Sequence, residues 1–446
     1  MFSVENIVQA TRGQLLQGND VEITGIAIDS RAVKRGDLFV AITGEKTDGH
    51  LYIQKAVDKG ARAVLVEKPV STDVPVILTT STVYALGRLA QWYRNQFNIP
   101  VVGITGSVGK TTTKEMMASV LASRFSVLKS QGNLNTEIGL PLTLFGLKKH
   151  HEVVVVEMGM RGLGQIRELA KMARPNVGVI TNIGENHLEL LGSKENILKA
   201  KWELAEALPP EGTLILNRDD DLLLAKGSRM QSEVLWYGTD RSAMVRAENI
   251  SVQGEGLSFN LCWLDEKRIR VELPVPGRHN VSNALAAAAV GLAFGLTLEE
   301  IAKGLSLFTN ATMRLDIQRY KGITVINDAY NASPVSMMAA LEVLADLAKG
   351  RKIAVLSDML ELGDWSMEGH KQVGRACKVD ILYTYGEMAK DINGAAPEIE
   401  KEHFSSREAL ADKLIEILKP GDTVLVKGSR GMKMEDIVKR LVDNYA

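Results

Sequence analysis

A three-part α/β architecture is expected from three features of the chain. Its 446 residues correspond to roughly three domains at about 150 residues each. From Ile99 onward, apolar β-branched runs alternate with helical patterns, as in parallel strands covered on both faces. Between two such series, residues 244–273 switch to polar–apolar alternation, which predicts an antiparallel piece.

The elements follow in order. Strand-like runs at Val21–Ile28, Asp37–Ile42, Ala63–Val66 and Pro75–Leu78, with a helix over Gly49–Lys59, predict a small N-terminal α/β unit, residues 1–81. An amphipathic helix over Ser81–Gln96 opens the second unit, residues 82–310. Its buried strands are expected at Ile99–Ile104, Glu152–Val156, Val177–Thr181 and Thr213–Leu216. Leu257–Trp263 and Arg268–Leu273 carry the alternation, and Asn280–Phe294 is an Ala-rich helix preceded by Pro274, Pro276 and Gly277. The third unit, residues 311–446, repeats β-α-β. Its strands are expected at Ile323–Ile326, Lys352–Leu356, Ile381–Tyr385 and Thr423–Val426, with helices at Ser336–Ala348, Glu368–Cys377 and Ser406–Leu418. That repetition predicts a Rossmann-like doubly wound sheet.

Composition narrows the functions. The chain has 53 Lys plus Arg against 54 Asp plus Glu, a formal net charge of −1. Such a balance supplies no general attraction to nucleic acid or to an anionic membrane. Cys262 and Cys377 lie far apart, without metal-site or disulfide-framework spacing. No apolar run reaches about 18 residues, so no membrane insertion is expected. The N-terminus has no signal-peptide pattern, and a reduced, cytoplasmic protein is expected.

The strongest local signal is Val101-Val-Gly-Ile-Thr-Gly-Ser-Val-Gly-Lys-Thr-Thr-Thr113. A buried strand runs into Gly106, Ser107, Val108 and Gly109, then Lys110, Thr111 and Thr112 open a helix. The glycines let backbone N–H groups face an anion, and the helix N-terminus adds its positive dipole end. Lys110 can neutralise β- and γ-phosphate charge, and the Thr111 hydroxyl can ligate Mg²⁺. Ile104 stands where the strict G-x-x-x-x-G-K-[ST] pattern has its first glycine.

Glu157 ends a buried strand, where open parallel sheets bind ligands, and could hold a nucleotide's Mg²⁺. An ordinary solvated strand-end acid is the alternative. His187 follows the next strand, and Lys201 lies in a helical pattern. By themselves these two are a structural histidine and a surface lysine.

Taken together, the motifs resemble the Mur ligases, ATP-dependent amide-forming enzymes of peptidoglycan synthesis. The resemblance covers essentially the whole chain. Asp29-Ser-Arg31, Gly36-Asp-Leu-Phe-Val-Ala41, Gly44, Asp48-Gly-His50 and Gly60-Ala61 resemble the family's nucleotide-sugar-binding domain. Thr105–Thr111, Gly132-Asn-Leu-Asn-Thr136, Glu157, His187, Ala200-Lys201, Gly277-Arg-His-Asn-Val-Ser-Asn283 and Arg314-Leu-Asp316 resemble its ATP-binding set in order. Asn327-Asp-Ala-Tyr-Asn-Ala-Ser-Pro334 and Val426-Lys-Gly-Ser-Arg430 look most like the branch that adds D-alanyl-D-alanine, although Ser333 stands where that branch often has Asn. The D-N-P-R signature of the sibling adding the third stem residue does not occur.

The resemblance implies a UDP-substrate-binding domain, a central P-loop ATPase-like domain with a mostly parallel sheet, and the Rossmann-like domain. It implies ATP and Mg²⁺, with UDP-N-acetylmuramoyl-tripeptide and D-alanyl-D-alanine as the joined substrates, in a monomer. Catalytic roles fall to Lys110, His187, Lys201 and Arg314. Lys201 would be carbamylated by CO₂ and, with Glu157 and His187, would hold a second Mg²⁺ beside the one at Thr111. Asn283, Arg314 and Asp328 would join the loop in binding ATP. Ser30, Arg31, Asn133, Asn135, Thr136, Tyr330, Asn331, Lys427, Ser429 and Arg430 would contact the other substrates. A third-residue ligase, a folylpolyglutamate synthase-like enzyme and a non-ligase nucleotide switch are the competing readings.

Overall fold

The computed structural model describes residues 2–231 and 233–445. A five-stranded N-terminal sheet runs, in spatial order, Gln14–Gln17, Val76–Leu78, Ala63–Val66, Asp37–Val40, Gly25–Ala27. The run expected as one strand over Val21–Ile28 is interrupted at Thr24. Glu22–Ile23 instead pairs antiparallel with Phe2–Ser3, while Gly25–Ala27 joins the sheet parallel to Asp37–Val40. The helix Val4–Thr11 was not anticipated; a Ser3–Asn6 capping box starts it. Gly49–Lys59 divides into a 3₁₀ turn, Gly49–Tyr52, and a short helix, Ile53–Asp58.

The central sheet has nine strands. In spatial order they are Lys267–Leu273, Gly256–Trp263, Val245–Gln253, Val234–Gly238, Thr213–Asn217, Val177–Ile180, Val101–Thr105, Val153–Glu157 and Val127–Lys129. The first three are antiparallel to one another, as the alternation predicts, and the rest are parallel. The valine run shows how period two builds two cores at once. Val153 and Val155 enter the cluster under the helices Lys110–Leu121 and His279–Ala293, whereas Val154 and Val156 enter the one under Gln165–Ala173 and Lys194–Glu206. All four are fully buried, each stabilising the fold by about 1.5–3 kcal/mol.

Strand order decides where the site lies. After Val101–Thr105 the chain steps to the sheet edge at Val127–Lys129, returns through Val153–Glu157, then crosses to Val177–Ile180 on the other side. Val101–Thr105 therefore sits at a switch point, with the ends of its two neighbours alongside: Ile104 is opposite Glu157, and Thr105 opposite Ile180.

The C-terminal sheet has six strands: Asp316–Tyr320, Ile323–Asp328, Thr423–Lys427, Lys352–Ser357, Ile381–Tyr385 and Glu400–Phe404. All pairs are parallel except the first. Ala354 and Leu356 face one core and Ile353 and Val355 the other, so helices cover both sides. The doubly wound expectation holds. The helix Thr82–Arg94 packs on Val4–Thr11 and also on Gly139–Leu144 and Gln165–Ala173, joining the N-terminal and central layers. Among the described residues, no helix is long and apolar enough to cross a membrane. Both cysteines are free and buried.

Candidate active site

The loop Gly106–Gly109 leaves the strand Val101–Thr105 and enters the helix Lys110–Leu121. Gly106 has φ +152°, and a Cβ there would collide with Thr181 Oγ1 at 1.8 Å. Gly109 has φ +82°, and its Cβ would meet Asn283 Oδ1 at 2.5 Å. Glycine is needed at both positions for conformation and for close approach. The neighbouring strand end braces the loop. Thr181 Oγ1 and Asn182 Nδ2 donate to Val108 O, while Val108 N–H donates to Asn182 Oδ1 at 2.9 Å. Gly184 N–H donates to Ser107 Oγ at 2.8 Å.

Behind the loop, Thr113 Oγ1 donates to Asn283 Oδ1 at 3.0 Å, and Asn283 Nδ2 donates to Asn280 Oδ1 at 2.8 Å. The expected adenine contact, Asn283, is thus also a brace of the helix start. Thr112 follows Thr111 in the first turn.

Thr111 is the hub. Its hydroxyl donates to Glu157 Oε2 at 2.8 Å and accepts from Arg314 Nη2 at 3.0 Å. The second Glu157 oxygen accepts from Asn135 Nδ2 at 2.8 Å. Arg314 stacks over Tyr330, its guanidinium carbon 4.1 Å from the ring centroid. Three chain segments meet at this one hydroxyl: the helix start, the end of the central strand Val153–Glu157, and the segment just before the C-terminal strand Asp316–Tyr320.

Two lysines converge on one carbonyl. Lys110 Nζ donates to Gly106 O at 2.8 Å and Ser107 O at 3.2 Å; Lys201 Nζ donates to Gly106 O at 3.0 Å. Lys201 is only 2% exposed, not the solvated surface group that a lone helical lysine suggests. Burial, reinforced by the Lys110 cation, pushes its amine well below the ordinary lysine value. Lys110 is lowered chiefly by desolvation and further by Arg314, with Glu157 opposing.

His187 is placed differently. It caps the short helix Leu188–Leu191 with φ +64°, and its Nδ1 lies 2.6 Å from Glu361 Oε2 in the C-terminal lobe. The pair is at ion-pair distance but lacks hydrogen-bond direction. No direct contact joins His187 to Glu157 or Lys201. Sequence reasoning missed Glu361; Thr113 and Asn280 lie within the sequence motifs but were given no role.

The C-terminal group is largely engaged with itself. Lys427 Nζ contacts Asp328 Oδ2 at 2.5 Å and donates to Asn331 O at 2.9 Å, and Asp328 Oδ1 accepts from Leu315 N–H at 3.1 Å. Ser429 Oγ accepts from Leu360 N–H, and exposed Arg430 pairs with Glu435 at 2.8 Å.

In the N-terminal lobe, exposed Arg31 forks onto Asp29, whose carboxyl is held at about 2 chiefly by that hydrogen bonding, and Ser30 is buried. Asp48 Oδ1 accepts from His50 Nδ1 at 2.6 Å, and His50 Nε2 accepts from Glu67 N–H. Asn133 and Thr136 are exposed on the loop whose Asn135 reaches Glu157.

Comparison with known proteins accounts for this layout. Residues 22–102 match the Mur ligase family catalytic domain, 104–291 the Mur ligase middle domain, and 313–430 the Mur ligase glutamate ligase domain. A Bacillus subtilis UDP-N-acetylmuramoyl-tripeptide--D-alanyl-D-alanine ligase is 39% identical, covering 99% of this chain and 98% of its own. The Escherichia coli protein of the same name is 37% identical, with 96% of each chain covered. A crystal structure of MurF from Acinetobacter baumannii superposes with TM-score 0.91 at 32% identity over 99% of each chain. MurF ligase from Thermotoga maritima in complex with ADP gives TM-score 0.85 at 31% identity, over 94% of this chain and 97% of that one. With three matched segments in order and relatives alike from end to end, the chain belongs to the Mur ligase family.

Proposed function

We propose that the chain is an ATP-dependent amide ligase joining D-alanyl-D-alanine to UDP-N-acetylmuramoyl-tripeptide, to give the pentapeptide precursor of peptidoglycan. The carrying observation is the Thr111 hub, where Glu157 and Arg314 reach the first turn after the phosphate loop. The full-length relatives named for this reaction support the choice of substrates. A cytoplasmic monomer, with domains 1–81, 82–310 and 311–446, completes the reading.

The chemistry needs an activated acid. A peptide carboxylate attacks the γ-phosphorus of ATP, forming an acyl C–O–P linkage and releasing ADP. The dipeptide amine then attacks the carbonyl carbon and loses a proton, and phosphate leaves with one carboxylate oxygen. Ser107 and Val108 N–H are taken by Asn182, so the Gly109 and Lys110 N–H groups at the helix start receive the nucleotide phosphates. Lys110 and Arg314 neutralise charge that builds on the transferred group, so positioning and electrostatics supply most of the rate. Tyr330, stacked under Arg314, keeps that guanidinium on the site side. Asn283 braces the loop and keeps one amide hydrogen for the adenine. Asp328, fixed by Lys427, serves the ribose.

The residues fit divalent ions. Thr111 Oγ1 and Glu157 Oε2 are hard oxygen donors side by side. Among the described residues, no group of three or more His, Cys, Asp or Glu side chains could hold a metal. As the family resemblance implies, a second ion would be held by Glu157 and His187 together with Lys201 as its carbamate. Its depressed pKa favours the neutral amine that attacks CO₂, forming the N–C bond and releasing a proton. When bound, Mg²⁺ would offset phosphate charge and polarise the transferred group.

Ser30 and Arg31 hold the uridine nucleotide, and Asn133, Asn135 and Thr136 face its diphosphate or sugar. Tyr330, Asn331, Lys427, Ser429 and Arg430 border the acceptor dipeptide. One assay tests the whole reading. ATP, Mg²⁺, D-alanyl-D-alanine and the lysine- or diaminopimelate-containing UDP-tripeptide should give the pentapeptide, by mass, with one ADP per product. ATP hydrolysis without an amide product would favour a nucleotide switch.

A further inference from the structure

The turn carrying Glu361 is built with more support than a surface loop requires. Met359 N–H donates to His370 Nε2 at 2.9 Å, and Leu360 N–H donates to Ser429 Oγ at 2.9 Å. Ser429 N–H donates to Asp358 O at 3.0 Å. Asp358 Oδ1 in turn accepts from the N–H groups of Met388 and Ala389. Fully buried His370 anchors the far side, its Nδ1 2.7 Å from Ser366 O.

Out of this fixed turn comes Glu361 with φ +66°, facing His187 with φ +64°. Left-handed backbone at two non-glycine residues in contact is uncommon, and such strain concentrates at functional sites. The two lobes touch again two residues on. At Gly363 (φ +56°) a Cβ would lie 2.9 Å from Glu189 Cα, so only glycine permits the approach. His187 Nδ1 is buried without an aligned hydrogen bond, and Glu361 Oε2 lies 2.6 Å from it, close enough to accept once the ring turns toward it.

We propose that Glu361 is a positioning residue: from the C-terminal lobe it fixes the His187 imidazole through Nδ1, so that Nε2 is presented to the central site when the two lobes dock. The inference rests on the reading of His187 as a metal ligand. An acceptor on the second ring nitrogen commonly orients a ligating histidine, and losing it costs about 10–100-fold in metal affinity. Because the acceptor belongs to the other lobe, docking and ion binding are coupled, and each favours the other.

The test uses the full chain with Glu361→Ala, Glu361→Gln and His187→Ala. Mg²⁺ dependence of amide formation is measured with nucleotide saturating, and the His187 tautomer is read in Mg²⁺-free protein by long-range ¹⁵N–¹H NMR. Glu361→Ala should raise the Mg²⁺ concentration for half-maximal turnover by about 10–100-fold. The rate at saturating Mg²⁺ should stay within about threefold, because His187 itself remains. The wild-type ring should be one Nδ1–H tautomer, the Ala variant a mixture, and Glu361→Gln, whose amide oxygen still accepts, should largely restore the single form. Unchanged Mg²⁺ dependence and an unchanged tautomer in Glu361→Ala, with His187→Ala impaired, would overturn the positioning role alone. If His187→Ala were also unimpaired, the metal-ligand reading would fall and the inference with it.

Discussion

Two lysines are equally buried in two different lobes, one on a helix and one at a strand end. Lys201 lies beneath the phosphate loop of the central sheet, and Lys427 ends a strand of the C-terminal sheet; each is 2% exposed. Lys427 faces the Asp328 carboxylate at 2.5 Å. Lys201 faces a carbonyl and a second cation, and its amine is pushed far below the usual range. Equal burial therefore produces opposite chemistry. A paired cation is an anchor, whereas an unpaired one is driven toward a neutral nucleophile.

Substitution with a nonpolar residue of similar length sharpens the contrast. Lys201→Met should cut amide formation by about 10³-fold or more, comparable to removing a principal electrostatic group. The same change should stabilise the fold at neutral pH by on the order of 1–3 kcal/mol, measured by urea unfolding, because a strained functional group gives way to an apolar one. Lys427→Met should do the reverse to stability, costing about 3–5 kcal/mol by leaving Asp328 without its partner. The double change Lys427→Met with Asp328→Asn should recover most of that loss. Destabilisation by Lys201→Met, or indifference to Lys427→Met, would break the comparison.

The pH dependence separates the two further. The folded-state pKa of Lys201 lies below its unfolded value, so the folded chain binds fewer protons in the window between them. Stability from this group consequently rises with pH up to about 10.4 and falls on acidification. The stability gap between Lys201→Met and wild type should therefore narrow as pH rises from 7 to 9.

A smaller effect is expected at the loop's brace. Asn283→Ala removes the acceptor of Thr113 and should raise KM for ATP about five- to tenfold, consistent with one buried hydrogen bond. The smallest concerns exposed Arg31, where Arg31→Ala should leave unfolding unchanged and weaken only the UDP substrate, by about two- to threefold.

What could be read from the sequence follows from how local each feature is. Strand, glycines, lysine and threonine of the phosphate loop are contiguous, so their shape and chemistry were legible together. The valine runs likewise announced strands covered on both faces. Edge strands were missed: Gln14–Gln17 is exposed throughout and Glu400–Phe404 is mostly charged, because an edge has no second core to fill. Lys201 looked like a surface residue, since helical spacing does not say which face meets a loop 95 positions away. Arg314 came only from the family resemblance. Glu361 left no local mark, because its meaning depends on a histidine in another lobe.

The central claim is that an acid is activated by phosphorylation at the Thr111 hub. Its most direct measurement supplies UDP-tripeptide with ¹⁸O in the terminal carboxylate and follows the label in inorganic phosphate. One ¹⁸O should appear in phosphate for each pentapeptide formed. Unlabelled phosphate released alongside the pentapeptide would contradict the account.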